Sequence, residues 1–355
     1  MAKKVLHQVS AAAMVGDATS DHVFLIQKWL RDFGFSSEVF SPNTQKALEN
    51  EVRRFNVSAL ASEEILIFHH TIGAPALDQI WERKIPLILI YHNITPPEFF
   101  AGTDPVLTRN LERGREQLAK IQPITKLALA ASPYSEQELK ELNFTETAVL
   151  PIVLDETKYQ LPLDQHLQDQ CQNLGALLLF VGRLSPNKKQ EDLLKLLHFY
   201  RRFEADAHLV LVGGLQSKEY VSWLRQFAAS LGLEDAVTIT GHVTHQELVT
   251  YFKTADLFVS MSEHEGFCKP LIESMHLGLP VLAYAATAVP STMGGAGVLF
   301  HENDYEALAE IADLLVQNQE LRQRIISGQN ERVKNFLEPN FSQLCANYLQ
   351  NMGLL

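Results

Sequence analysis

Two glutamates, Glu265 and Glu273, stand with seven residues between them in the segment Ser262-Glu-His-Glu-Gly-Phe-Cys-Lys-Pro-Leu-Ile-Glu-Ser-Met275. An apolar run, Leu257-Phe258-Val259, precedes the segment, and a helix-periodic stretch begins at Pro270. That order reads as strand, glycine-containing loop and helix start, because proline is favoured at the first helical position. Backbone N–H groups of Gly266, Phe267, Cys268 and Lys269 then point out of a helix N-terminus, which favours an anion such as a diphosphate. Each carboxylate accepts hydrogen bonds from two hydroxyls. The chemistry this arrangement suits is binding of a ligand that carries both phosphate and sugar. A surface loop followed by an acidic residue placed for the helix dipole gives the same spacing.

A second pair of charged residues offers matching chemistry. Leu178-Leu-Phe-Val-Gly182 reads as a buried strand that ends in glycine, followed by Arg183-Leu-Ser-Pro-Asn-Lys188-Lys189. Arg183 supplies a planar fork and Lys188 a point charge, so both can meet one diphosphate. Lys189 takes the role if the loop register differs by one, and a solvated loop with ordinary surface charges is the other reading. In the first half, Leu87–Tyr91 reads as a strand that ends at His92, and another strand ends at His69 and His70. Imidazole donates or accepts a hydrogen bond near neutral pH. Arg109, Arg113, Arg115 and Lys120 fall on or near one helix, and Arg109 and Arg113 share a face. Those cations suit an acceptor lipid phosphate or an anionic membrane surface, or else a solvated face paired with Glu112 and Glu116.

The elements that must hold these residues follow the α/β pattern, short apolar runs alternating with helical periodicity. Strands are expected near Lys4–Val9, Ser37–Phe40, Glu64–Phe68, Leu87–Tyr91, Leu127–Ala131 and Ala148–Leu150. A second series is expected at Leu177–Val181, Leu209–Val212, Val237–Thr240, Leu257–Ser260, Val281–Tyr284 and Gly297–Phe300. A helix over Asp21–Phe33 should stop at Gly34. The polar stretch Asp155–Asn173 reads as the linker, and a helix over Gln246–Lys253 has Thr244 as its N-cap.

At 355 residues, two domains are expected. A hydrophobic content of 46% and a charged content of 20% are those of a globular protein. The net charge of −12 argues against a nucleic-acid partner. Cys171, Cys268 and Cys345 match no metal or disulfide spacing, so a reducing cytoplasm is the expected compartment. The apolar runs are strand-length, and Met1-Ala-Lys-Lys leads into no signal-peptide core. Because no Asp-x-Asp occurs, a divalent metal bridging a diphosphate has no obvious ligands.

The Glu265-Gly-Phe-Cys-Lys-Pro-x-x-Glu273 segment resembles the E-x7-E motif of retaining GT-B glycosyltransferases of family four, and Gly182-Arg-Leu-x-x-x-Lys188 is similar to their G-R-L-x-x-x-K element. The resemblance implies an α/β, GT-B architecture: two Rossmann-like parallel-sheet domains facing a central cleft, over 1–165 and 174–338, with a C-terminal helix at about 339–355 crossing back at the Glu338-Pro339-Asn340 break. It implies that Glu265 meets donor-sugar hydroxyls, Glu273 the ribose, and Arg183 and Lys188 the leaving nucleoside diphosphate. His92 is implied to reach the donor sugar, and His242 and Val243 to lie at the nucleobase. Gly213-Gly214 resembles the family's G-x-G turn. The loop Ala11–Asp17 corresponds to its glycine-rich loop but has only Gly16, leaving Gly16 and Asp17 as residues bordering an acceptor pocket. The implied activity is metal-independent hexosyl transfer with retention, from GDP-mannose or a UDP-hexose to a glycan or lipid-linked glycan, in surface polysaccharide or glycoconjugate synthesis. No cofactor is implied beyond the sugar nucleotide. Peripheral contact with the inner membrane face is compatible with this role. A non-catalytic sugar-nucleotide-binding subunit and another GT-B enzyme, such as an epimerase or a phosphorylase, remain alternatives.

Overall fold

The computed structural model describes residues 4–60, 65–338 and 340–355. The chain forms two compact units, one of residues 1–153 with 338–355 and one of 154–337. The expected Glu64 strand start and Pro339 of the expected break lie outside the described residues.

The first unit carries a seven-stranded sheet of β1 (Gln8–Ser10), β2 (Val39–Ser41), β3 (Val52–Arg54), β4 (Leu66–His70), β5 (Leu87–Tyr91), β6 (Thr125–Ala130) and β7 (Thr147–Val149). The spatial order is β3-β2-β1-β4-β5-β6-β7, and every pairing is parallel. A parallel sheet needs both faces covered, and its side chains alternate accordingly. Leu66, Phe68, Leu87, Leu89 and Tyr91 enter one core, while Ile67, Ile88 and Ile90 enter the other. The second of these cores also holds Trp29 of helix Ala18–Asp32 and Phe341, Cys345 and Leu349 of helix Asn340–Asn351. The terminal helix is thus part of this unit.

The second unit holds β8 (Leu177–Val181), β9 (His208–Val212), β10 (Val237–Gly241), β11 (Leu257–Ser260), β12 (Val281–Tyr284) and β13 (Val298–Phe300), in the order β10-β9-β8-β11-β12-β13. In each sheet the order reverses once, between β1 and β4 and between β8 and β11. Such switch points leave a crevice at the carboxyl ends of the strands where ligands bind.

Four expectations are corrected. The strand β3 was not legible: its three residues bury only Val52 and expose two arginines, so there is no apolar run to read. The stretch 155–173 is not a linker, and the first unit ends at Val153 rather than near 165. A short turn, Glu156–Tyr159, and a helix, Gln165–Gln172, occupy that stretch. They are held by buried Tyr159 and Cys171 and by the Asp164 N–H donating to Thr250 Oγ1 at 2.9 Å. Two isolated anchors in a polar sequence produce no periodicity. The helix expected from Pro270 begins one residue earlier, at Lys269, after a left-handed Cys268. The helix expected over Asp21–Phe33 runs Ala18–Asp32, with Gly34 at φ +94° just beyond it.

Candidate sugar-nucleotide site

The loops after β8 and β11 flank the switch point of the second sheet, and a few polar side chains join them. After β8 the chain passes Gly182, and a Cβ on Gly213, at the end of β9, would lie 2.1 Å from the Gly182 carbonyl oxygen. Only glycine at 213 lets the two strand ends approach so closely. Leu184 N–H then donates to the Gly214 carbonyl at 2.9 Å. Asn187 is buried between the loops: it accepts from Ser185 Oγ at 2.8 Å, donates to the His264 carbonyl at 3.3 Å, and its own carbonyl accepts from Glu263 N–H at 3.0 Å. The adjacent Lys188 Nζ lies 2.7 Å from Glu265 Oε1, both side chains being largely buried. Lys189 adopts a left-handed conformation and turns elsewhere, to Glu191 at 3.4 Å and Glu263 at 3.5 Å. Of the two neighbouring lysines, Lys188 is the one that meets Glu265. Arg183 donates to Gln216 Oε1 at 3.3 Å.

Glu265 is held by its backbone. Its N–H donates to Thr287 Oγ1 at 2.8 Å, and its carbonyl accepts from the same hydroxyl at 2.9 Å. The Phe267 carbonyl accepts from Thr292 Oγ1 at 2.6 Å, and the Phe267 ring meets Phe336 edge-on. Cys268 takes φ +70° and starts the helix Lys269–His276. Burial, then the neighbouring Glu265 carboxylate, push the Cys268 thiol well above its ordinary range. Glu273 is buried on that helix. Its Oε1 accepts from Tyr159 Oη and lies 3.6 Å from Lys269 Nζ. His245 and His276 flank the Tyr159 ring at 5.3 and 5.7 Å. Two carboxylates on one loop-helix element, with cations beside each, make an acceptor surface for hydroxyls with positive charge close by.

His242 and Val243 lie in the turn after β10, where His242 Nε2 would be 2.7 Å from a Cβ on Gly214. The Thr244 that follows caps helix His245–Thr254 through a full capping box with Glu247. Asn187, Thr287, Thr292 and Tyr159 were missed in the sequence. Their roles depend on loop-to-loop contacts that no local pattern signals.

In the first unit, His69 and His70 end β4 and His92 follows β5. His69 Nδ1 lies 3.2 Å from His92 Nε2, and His69 Nε2 lies 2.9 Å from Gln8 Oε1 on β1. The His22 ring, from helix Ala18–Asp32, stands edge-on to both. Burial, followed by the neighbouring imidazoles, holds His69 and His92 well below the ordinary histidine range, so both are neutral near pH 7. Gly16 has φ +75°, and the Asp17 carboxylate is taken up as an N-cap, accepting from Ser20 N–H at 2.9 Å. On helix Pro105–Ile121, Arg113 pairs with Asp78 at 3.1 Å and Arg115 with Glu138 at 2.9 Å. These partners come from other elements rather than from Glu112 or Glu116. Arg109 is exposed.

Among the described residues, no group of three or more His, Cys, Asp or Glu side chains is arranged to hold a metal ion. No helix among them is long and apolar enough to cross a membrane.

Residues 172–332 match the glycosyl transferases group 1 family. The mannosylfructose-phosphate synthase of Agrobacterium fabrum is 35% identical over 113 residues, 30% of this chain and 25% of that protein. The GDP-mannose:cellobiosyl-diphosphopolyprenol alpha-mannosyltransferase of Xanthomonas campestris is 31% identical over 146 residues, 40% of this chain and 37% of that protein. The matched stretches therefore span well under half of these curated relatives. In solved structures the likeness extends over the whole chain: Anabaena Alr3699/HepE in complex with UDP and glucose superposes with a TM-score of 0.76 at 20% identity, covering 98% of this chain and 100% of that one. WaaG, a glycosyltransferase involved in lipopolysaccharide biosynthesis, gives a TM-score of 0.72 at 14% identity, covering 97% and 99%. The chain thus has the GT-B fold, and its residues 172–332 match the glycosyl transferases group 1 family.

Proposed function

We propose that this protein is a glycosyltransferase, a retaining, metal-independent hexosyltransferase. It moves a hexose from GDP-mannose or a UDP-hexose to a hydroxyl of a glycan or lipid-linked glycan, in surface polysaccharide or glycoconjugate synthesis. The observation that carries this reading is the Lys188–Glu265 pair at the sheet switch point, with Glu273 on the helix that starts beside it. Binding the donor redirects Lys188 from Glu265 to the diphosphate, leaving the Glu265 carboxylate for sugar hydroxyls. Glu273 then takes the ribose hydroxyls, Arg183 and Lys269 add positive charge, and His92 takes a sugar hydroxyl. Charge that develops on the departing phosphate is stabilised by donors already aimed at it. The C1–O bond to the diphosphate breaks as the acceptor oxygen bonds to C1 on the same face, and the acceptor proton passes to the departing phosphate oxygen. The relatives named for GDP-mannose and the neighbour crystallised with UDP and glucose support both donor classes. The expected place of action is the cytoplasm, at the inner membrane face when the acceptor is lipid-linked.

The test is a thermal-shift panel of GDP, UDP, GDP-mannose and UDP-glucose, since a ligand that binds only the folded state raises its melting temperature. It is followed by nucleoside diphosphate release with and without acceptor glycans, in EDTA. A shift with one base and acceptor-dependent release are expected. No shift with any of the four would refute a sugar-nucleotide enzyme. A first-formed product of opposite anomeric configuration would refute retention, and loss of turnover in EDTA would refute metal independence.

A further inference from the structure

Gln8 at the start of β1, His69 near the end of β4 and His92 just after β5 form a hydrogen-bond chain in the first unit whose direction can be worked out from its first member. Gln8 Nε2 donates to the Val23 carbonyl at 3.2 Å, which leaves Gln8 Oε1 facing His69 Nε2 at 2.9 Å. An amide oxygen only accepts, so His69 must carry its proton on Nε2. A neutral His69 then has a lone pair on Nδ1, and that atom lies 3.2 Å from His92 Nε2. His92 must in turn donate from Nε2, which leaves its Nδ1 as a bare acceptor. His92 Nδ1 is buried and has no hydrogen-bond partner among the described residues. The next residue repeats the pattern. Asn93, at φ +76°, donates through Nδ2 to Ser135 Oγ and Glu138 Oε2, while its Oδ1 is buried without a partner. A buried acceptor without a donor loses the hydrogen bonds that water gave it and gains nothing in return. Two of them on consecutive residues at the carboxyl end of a central parallel strand mark a place for hydroxyl donors.

We infer that Gln8 and His69 are positioning residues that fix His92 as the Nε2–H tautomer, so that His92 Nδ1 accepts a hydrogen bond from a sugar hydroxyl of the substrate. The inference rests on the glycosyltransferase reading above and adds to it a specificity: the site takes a hydroxyl and rejects a group that cannot donate. The surroundings keep the relay neutral. His22 stands edge-on to His92 at 5.4 Å and to His69 at 6.3 Å, and His70 adds a further imidazole on the same strand. A proton gained by His69 or His92 is opposed by burial and by the neighbouring imidazoles. The hydroxyl can belong to the donor sugar or to the acceptor sugar, and both present the same chemistry to Nδ1.

The test combines NMR of the 15N-histidine-labelled full chain, assigned with His92→Gln, with binding of two variants. In the free protein, His92 is expected to show a protonated Nε2 and an unprotonated Nδ1 from pH 6 to 8 (roughly the span around a free imidazole). Adding GDP-mannose or UDP-glucose is expected to move the Nδ1 resonance where GDP or UDP does not. Movement with free mannose or glucose instead would assign the hydroxyl to the acceptor side. His69→Leu removes the lone pair that orients His92, while His69→Gln keeps a carbonyl acceptor there. His69→Leu should reduce the preference for sugar nucleotide over the matching nucleoside diphosphate by about tenfold, the size of one hydrogen bond. His69→Gln should restore most of it. The ratio cancels any general loss of fold, and the tautomer is read in the unsubstituted protein. A proton on His92 Nδ1 or an Nδ1 resonance unmoved by every sugar would overturn the relay, as would an unchanged preference in His69→Leu where the sugar nucleotide is what moves Nδ1, or an unchanged affinity of that variant for the free sugar where the free sugar moves it. Absence of any thermal shift with the four nucleotides would instead overturn the underlying functional reading.

Discussion

Lys188 Nζ lies 2.7 Å from Glu265 Oε1, and the backbone N–H and carbonyl of Glu265 are both held by Thr287 Oγ1. The ion pair joins the loops after β8 and β11, and the threonine fixes the backbone of the acidic partner. Lys188→Ala should therefore cost more in function than in fold. Removing one member of a partly buried pair is expected to lower stability by about 1–3 kcal/mol, less than for a fully buried pair. Stabilisation by nucleoside diphosphates and turnover should be nearly abolished. Thermal melts with and without GDP and UDP measure both effects, and loss of the melting transition itself would count against a role in binding.

Tyr159 and Glu273 are linked by a hydrogen bond from a neutral hydroxyl to a carboxylate, a stronger class than neutral pairs. Tyr159→Phe should cost about 1.5–3 kcal/mol of stability, measured by denaturant unfolding. If Glu273 holds the ribose, the same variant should weaken GDP or UDP binding while leaving pyrophosphate binding unchanged. Equal losses for nucleotide and pyrophosphate would contradict that role.

Gly213 and Gly214 are adjacent but should respond differently to alanine. A Cβ at 213 would sit 2.1 Å from the Gly182 carbonyl oxygen, in backbone that cannot give way, at φ +142°. A Cβ at 214 would meet the imidazole of exposed His242, which can rotate. Gly213→Ala should lower stability by about 3 kcal/mol or more, the upper range of overpacking in a rigid setting. Gly214→Ala should fold nearly as well as the parent and show its effect in nucleotide affinity. Comparable destabilisation in both would indicate that His242 is fixed.

His70 is buried, and burial lowers it to about 4 despite its hydrogen bond to the Gly114 carbonyl at 2.9 Å. Its folded value is below the unfolded value of about 6.5, so the unfolded chain takes up the proton first. The contribution to stability is therefore full above about pH 6.5 and is lost as the pH falls toward about 4. Over that window the loss from His70 alone amounts to about 3 kcal/mol. His69 on the same strand and His92 after β5 are lowered as well and add loss of the same sign. His70→Gln should flatten the acid limb of the stability curve, measured by urea unfolding at a series of pH values. An acid limb as steep as the parent's would remove His70 as a contributor.

Glu265, Glu273, Arg183 and Lys188 could be picked out because each lies within a few residues of a strand end or a helix start, and both are local signals. The strand series was legible for the same reason: β5 and β8 are unbroken apolar runs and β11 opens on one, as strands buried on both faces must be. The edge strand β3 and the segment 155–173 were not, because one buried valine, or one tyrosine and one cysteine, leave no period in the sequence.

The sequence by itself determined the α/β class, the strand ends that carry the glutamates, cations and histidines, and the resemblance of the donor-side motifs. Those depend on hydrophobic period and short-range spacing, which are written along the chain. Only the tertiary structure decided that Lys188 rather than Lys189 meets Glu265, that Tyr159 reaches Glu273 across 114 positions, and that Gln8 and His69 orient His92. Each of these is a hydrogen bond or ion pair between different elements. Its existence depends on strand order and loop conformation, above all the left-handed turn at Lys189 and the parallel adjacency of β1, β4 and β5. Sequence distance says nothing about such neighbours, because the folding of the sheet is what brings them together.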